Sequence, residues 1–297
     1  MAKMQAAKAA WPFYLAAVLA AAVVAGAVSQ AMAGESLAAL GIPDPGWPTT
    51  FGLPALRGAA WMLAALTVGS FLFSAFFIPP RQTGEDLNAA ALSVDGHIAS
   101  RTGASAAAGV ALIGLVMIPL VLSDVSGQPL SSVFFQAAAW STALQQVQEA
   151  QVWLIVSAIA AAVAVGGRVA THWWPQVALL LGSVAMVMPV ALTGHSAAGG
   201  NHDYGTNSYI WHLVFALVWV GALMALLAHG RRLGPGLEAA VRRYSAVALF
   251  AFAAMAVSGV VNAAIRIRIS ELTQYHYGWV LLAKFAGAMK GSMSKAA

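Results

Sequence analysis

The 297-residue sequence contains no cysteine. Disulfide bonds and thiolate metal ligands are therefore excluded, so a soft metal ion would have to bind methionine sulfur or histidine nitrogen. Charge is also scarce, because only 8% of the residues are Asp, Glu, Lys or Arg, whereas soluble proteins carry about 25%. The chain has no phosphate-binding glycine loop, and no Ser/His/Asp triad or carboxylate pair stands out in its apolar runs. We therefore expect neither an ATP-driven pump nor an enzyme.

Apolar residues make up 60% of the chain, in several runs long enough to cross a bilayer as helices. Since backbone groups in lipid must be satisfied within helices, the sequence predicts an all-α, polytopic membrane helical bundle with about eight transmembrane helices. We predict loops at 34–50 and 82–102, and between 123 and 149 a short amphipathic helix on the membrane surface or a small plug over the bundle. The predicted spans are 11–32, 53–78, 103–122, 152–165, 174–192, 209–227, 244–265 and a run from 277.

Two domains are expected from this pattern. Residues 1–33 form a first transmembrane helix or signal anchor, and residues 51–297 form a helical membrane domain whose last helix is short. Lipid is the expected surroundings of both.

Lysine and arginine are divided unevenly between the two sides of the predicted bundle. With a cytoplasmic N-terminus, eleven of them fall on the cytoplasmic side and three on the other, with Lys284 inside a span. Positive charge is enriched in cytoplasmic loops, so we predict a cytoplasmic N-terminus in the cell (inner or plasma) membrane. The eleven are Lys3, Lys8, Arg81, Arg101, Arg168, Arg231, Arg232, Arg242, Arg243, Lys290 and Lys295.

Three of the seven histidines lie in segment 186–212, which joins the end of the fifth predicted span to the start of the sixth. His195 ends the fifth span and His212 lies about one turn inside the sixth, so antiparallel neighbouring helices would bring the two close together. His202 and Asp203 lie on the glycine-rich loop between them, where they could fold over the gap. Ionisable residues in a membrane are functional candidates; the alternative is that these histidines only hydrogen-bond backbone and water.

Two methionines, Met186 and Met188, lie at the start of this segment, before His195. Met188 is seven residues before His195, which places it on the same helical face and roughly two turns deeper. Thioether sulfur favours Cu(I), and imidazole binds both Cu(I) and Cu(II), although methionine also fills gaps in packed cores. The candidate metal ligands are His195, His212, His202, Asp203, Met188 and Met186.

One face of the seventh predicted span carries Met255, Ser258 and Asn262. Asn262 could line a polar cleft opposite the histidines, or Ser258 and Gly259 could form a close contact between helices. The sequence leaves both readings open. Asn262, Met255 and the extracytoplasmic His276 are candidate pathway residues.

From residue 53 to 284 the chain resembles the copper-resistance protein D (CopD/PcoD) family of inner-membrane proteins. The resemblance implies copper handling at the cell membrane, with His195 and His212 as the matching site positions. Domains of this kind are often fused ahead of a CtaG-type cytochrome oxidase assembly domain. The resemblance rests on LTGH at 192–195, HL at 212–213, WVGAL at 219–223, RYS at 243–245, SGVVNA at 258–263 and YG at 277–278, followed by LL at 281–282 and Lys284.

Copper movement across the membrane, or copper supply for homeostasis and oxidase assembly, is therefore the leading hypothesis. An extracytoplasmic copper-binding protein or a cytochrome oxidase assembly factor would be the partner, and no nucleic acid is expected. Two alternatives remain open: a haem protein that uses His195 or His212 as an axial ligand, and an assembly or scaffold subunit that transports nothing.

Overall fold

A computed structural model describes residues 11–32, 41, 43–80, 90–193 and 202–266, without the side chains of 32, 137, 191–193, 202–207 and 262–266. Every regular element in these ranges is a helix, which confirms the predicted all-α membrane bundle. Seven helical segments are long and apolar enough to cross a membrane, and the eighth predicted span, from 277, lies outside the described residues. The helices are α1 Trp11–Met32, α2 Trp47–Leu72 with a π-helical turn at Phe73–Phe77, α3 Val94–Ser126, α4 Leu130–Phe134, α5 Ala137–Gln146, α6 Gln148–Val169, α7 Trp173–Ala185, α8 Met188–Thr193, α9 His202–His229 and α10 Leu237–Arg266.

Helix α2 lies at the centre of the bundle and packs against α1, α3, α7 and α9. In its most apolar stretch 78% of the residues are buried, against 11% in α1 and in α10, which border the bundle. Small residues allow this close packing: a Cβ added at Gly69 would collide with the backbone of Gly221 in α9. Farther along, Phe71 and Phe73 are fully buried.

Helix α3 begins at Val94, nine residues before the predicted start at 103, so the predicted loop 82–102 is helical in its last part. The earlier start has a local cause. Ser93 is the N-cap residue, and its hydroxyl accepts a hydrogen bond from the backbone N–H of Gly96 at 3.2 Å. Asp95 in the first turn adds a favourable charge at the positive end of the helix dipole.

The fifth predicted span, 174–192, is two helices rather than one, with a break at Met186 and Val187. Proline explains the break, because Pro189 has no N–H to donate to the carbonyl of Ala185, where α7 ends. The predicted amphipathic helix within 123–149 is likewise divided, into α4 and α5.

Contacts between helix termini define the two ends of the bundle. At one end Trp173 Nε1 donates to the carbonyl of Ala75 at 2.7 Å, and an Arg243 nitrogen donates to the carbonyl of Phe77 at 3.1 Å. We call this the basic end; Arg101, Arg168 and Arg232 lie there with the start of α1. The opposite end, called the outer end, holds the Arg57–Glu149 ion pair.

Candidate metal-binding site around His212

The outer halves of α9 and α10 are joined by short side chains. Ser208 Oγ donates to the carbonyl of Ser258 at 2.7 Å, and the Ser258 hydroxyl donates to the carbonyl of Met255 at 3.0 Å. A Cβ added at Gly259 would lie 3.2 Å from His212 Cε1 and 3.3 Å from its Nδ1. These two ring atoms therefore lie close to a residue that has no side chain, which is the close helix contact considered for Ser258 and Gly259.

The hydrogen bonds of His212 determine which ring nitrogen carries the proton. Its Nδ1 lies 3.0 Å from the carbonyl oxygen of Met255, and a carbonyl can only accept. Nδ1 is therefore protonated, and in the neutral ring Nε2 keeps its lone pair. The Ser258 hydroxyl lies 3.3 Å from the same Nδ1.

This arrangement is the one found in histidines that bind metals. Such a histidine donates its other ring N–H to a carbonyl or carboxylate, which orients the ring and raises its basicity. No described residue forms a hydrogen bond with Nε2 of His212. His212 is half-buried, so its Nε2 can serve as one ligand of a metal ion.

An open groove of about 540 Å³ runs beside this site, between α9 and α10. Three aromatic and four aliphatic side chains line it, together with the two serines of the helix contact. The groove consequently offers an apolar wall with few polar groups. Its lining includes Ser208, Trp211, Phe215, Phe250, Val257 and Ser258.

The two candidate methionines lie in different surroundings. Met186 is 0% exposed and belongs to the main hydrophobic core, where it serves packing in this conformation. Met188 is partly buried at the start of α8, a helix that packs against α9. Met186 lies in the break between α7 and α8, whereas Met188 lies on α8, the helix that packs against the helix of His212.

His202 and Asp203 do not lie on a loop as predicted, because α9 already begins at His202. His212 is accordingly ten residues inside the helix, not one turn. A rise of 1.5 Å per residue separates His202 from His212 by about 15 Å along the axis, too far for both to bind one ion. His195, which the sequence predicts at the end of the fifth span, lies in segment 194–201, outside the described residues.

The remaining candidates are only partly described. Met255 contributes its backbone carbonyl to His212, a role that the sequence did not reveal. Asn262 lies in α10, with its side chain outside the description, and His276 lies outside the described residues altogether. Within the described part of the chain, no group of three His, Asp or Glu side chains is close enough to hold a metal ion.

His229, a fully buried histidine at the basic end, was not singled out from the sequence. His229 is 2% exposed; Arg232 donates to its Nδ1 at 2.7 Å, and Tyr14 Oη lies 3.3 Å from its Nε2. Because a guanidinium only donates, Nε2 must carry the proton, and both nitrogens are engaged. Arg232 also lies 3.7 Å from Asp95. His229 therefore joins α1 to the end of α9 and, through Arg232, to α3, and both of its ring nitrogens have partners.

Comparison with known proteins gives matches to two family models of membrane proteins, both named for copper resistance. The model of the copper resistance protein D-like N-terminal domain matches residues 48–204, and the copper resistance protein D model matches residues 238–289. An uncharacterized protein of Mycobacterium leprae is 27% identical over 192 residues, which cover 65% of this chain and 28% of that protein. Uncharacterized proteins of Mycobacterium bovis and Mycobacterium tuberculosis are each 32% identical over 83 residues, 28% of this chain and 12% of theirs. The chain thus matches less than a third of the length of these relatives, and no solved structure matches it.

Proposed function

Because the chain belongs to the copper resistance protein D family, we propose that it binds copper at the outer end of the bundle and moves it across the cell membrane. The observation that carries the proposal is the state of His212, whose Nδ1 donates to the Met255 carbonyl while no residue in the described ranges bonds to Nε2. Neutral imidazole suits both oxidation states of copper.

The positive charge of the basic end supports an orientation with His212 outside. Arg101, Arg168, Arg232 and Arg243 lie at that end, and positive charge is enriched on the cytoplasmic side. His212 would then meet copper arriving from outside the cell, delivered as a free ion or by an extracytoplasmic copper-binding protein. A cytochrome oxidase assembly factor remains a proposed recipient, and the CtaG-type fusion remains a prediction.

A single imidazole is an incomplete copper site, so further ligands are required. We propose that His195 and Met188 supply them, since Met188 begins α8, His195 follows α8 by two residues in the sequence, and α8 packs on α9. Met188 would provide the sulfur that Cu(I) prefers. His202 and Asp203, about three turns farther out on α9, would serve an earlier capture step and not this ion.

Haem gains no support from the described residues. Axial ligation by two histidines needs a second imidazole at the depth of the first. The other histidines with described side chains, His97, His172 and His229, lie at the basic end, away from His212.

Copper titration of the purified protein tests the proposal. Removing the His212 ligand with His212→Ala should weaken Cu(I) binding by at least about 100-fold, since even second-shell changes cost 10–100-fold. It should also reduce copper accumulation in cells. His172→Ala is the matched control, because its exposed ring lies at the basic end, where it contacts the neighbouring Thr171 hydroxyl. Parental affinity in the His212→Ala variant would refute the site and favour a scaffold role.

A further inference from the structure

Helix α7 has an unusual distribution of polar residues. Its outward surface is apolar, with Leu181 65% exposed, whereas its two fully buried positions are Gln176 and Ser183. These are seven residues apart and share one face. A membrane helix that turns its polar residues inward is typical of a bundle interior that is polar or reached by water.

The two buried polar groups of α7 differ in one decisive respect. Ser183 Oγ donates to the carbonyl of Leu180 at 2.7 Å and is satisfied within its own helix. Gln176 is 0% exposed, and neither its amide nitrogen nor its amide oxygen has a hydrogen-bond partner among the described residues. A buried amide without partners loses its hydration and gains nothing in exchange. Its surroundings must supply both a donor and an acceptor.

A second unpartnered group lies at a similar depth on the neighbouring helix. Ser70 in α2 is also 0% exposed, and its hydroxyl has no partner in the described part of the chain. The Trp173–Ala75 hydrogen bond aligns α7 with α2 at the basic end. Measured from it at 1.5 Å per residue, Gln176 lies roughly 4.5 Å and Ser70 roughly 7.5 Å toward the outer end. Two packed helices therefore both carry, about one turn inside the basic end, a buried polar group that no described residue satisfies.

We propose that water enters from the basic end to reach Gln176 and Ser70, and that this hydrated site is the inner part of the copper route. Water fits because a single molecule both donates and accepts, as an amide oxygen and an amide nitrogen together require. The hydrated site follows from burial and hydrogen bonding alone. Its place on the copper route rests on the proposed function, with His212 at the outer end and Gln176 near the inner one.

The absence of native cysteine makes the site directly testable, since an introduced cysteine is the only thiol in the protein. A Gln176→Cys variant in membrane vesicles would be treated with the water-soluble reagent 2-aminoethyl methanethiosulfonate. A hydrated thiol should react at least tenfold faster than the thiol of Leu181→Cys, which lies on the outward, lipid-facing side of the same helix. Equal rates in the two variants would overturn the water site.

A Gln176→Leu variant provides an independent measurement. If water satisfies the amide, the melting temperature should stay level or fall, and copper accumulation should drop at least fivefold. A clear rise in melting temperature with parental accumulation would mean that the amide was dry and unused, which overturns the proposal. Rapid modification of Gln176→Cys combined with parental accumulation in Gln176→Leu would remove the site from the copper route.

Failure of this inference can be told apart from failure of the proposed function. Copper affinity of the His212→Ala variant reports on the outer site alone. Thiol modification of the Gln176→Cys variant reports on water at the inner site, whether or not copper binds.

Discussion

Replacing Gly69 by alanine should push the central helix α2 away from α9. The added Cβ would lie 2.7 Å from the Cα of Gly221 and closer still to that residue's carbonyl group. Favourable contacts between carbon atoms require about 3.5–4.0 Å. Helices α2 and α9 would therefore have to move apart by roughly 1 Å or more, because both contacting groups are backbone and cannot rotate away.

The magnitude follows from two opposed effects. Alanine is favoured over glycine in a helix interior by about 1 kcal/mol. Overpacking typically costs about 1–3 kcal/mol, and a collision between two backbones belongs at the upper limit. We expect a net loss of about 2 kcal/mol in the free energy of unfolding for Gly69→Ala, from these two values.

Gly52→Ala is the matched control in the same helix, because its Cβ would meet only the Leu120 side chain, at 3.8 Å. This variant should gain the helix preference of about 1 kcal/mol without a collision. The two variants should then differ by about 3 kcal/mol, or roughly 6–12 °C in melting temperature, measured by thermal unfolding in detergent. A Gly69→Ala variant that melts at or above Gly52→Ala would show that α2 and α9 do not touch at this point.

Two further predictions concern the site and the start of α3. Gly259→Ala places a methyl group against the His212 ring. Copper titration should show severalfold weaker binding, while the melting temperature changes little. Unchanged affinity would mean that the ring position does not matter. Ser93→Ala removes the hydroxyl that caps the Gly96 N–H, and should lower the free energy of unfolding by about 1 kcal/mol in thermal unfolding. Ser93→Asp, which can still cap the helix, should preserve the stability. Equal stability of the parent and both variants would contradict the cap.

The membrane bundle could be predicted from sequence because the signal is distributed over the whole chain. Apolar runs of sufficient length admit only helices in lipid, and seven of the predicted spans are found. Helix limits were predicted less well. The cap at Ser93 and the early start of α9 at His202 lie in polar sequence, where hydropathy places a loop although local hydrogen bonds and packing form a helix.

The candidate site could be predicted from sequence only in part. A histidine within an apolar run is visible in the sequence, so His212 could be identified before any fold was known. Which of its ring nitrogens carries the proton could not be predicted, because this depends on the backbone carbonyl of Met255, 43 residues away on another helix. The placement of His202 and Asp203 on a loop was wrong for a related reason, since only the structure shows that α9 is already helical from His202.

Sequence alone determined the solvent, the element type and the ligand chemistry of this protein. The scarcity of charge requires a bilayer, the bilayer requires helices, and the lack of cysteine leaves imidazole and thioether as soft-metal ligands. The tertiary structure decided which polar groups are satisfied. Among the described residues, hydrogen bonds between helices hold His212 Nδ1 and join His229 to Tyr14, whereas His212 Nε2 and the Gln176 amide have no partner there. Partners of this kind depend on how helices pack, a relation between distant residues that composition and periodicity do not contain.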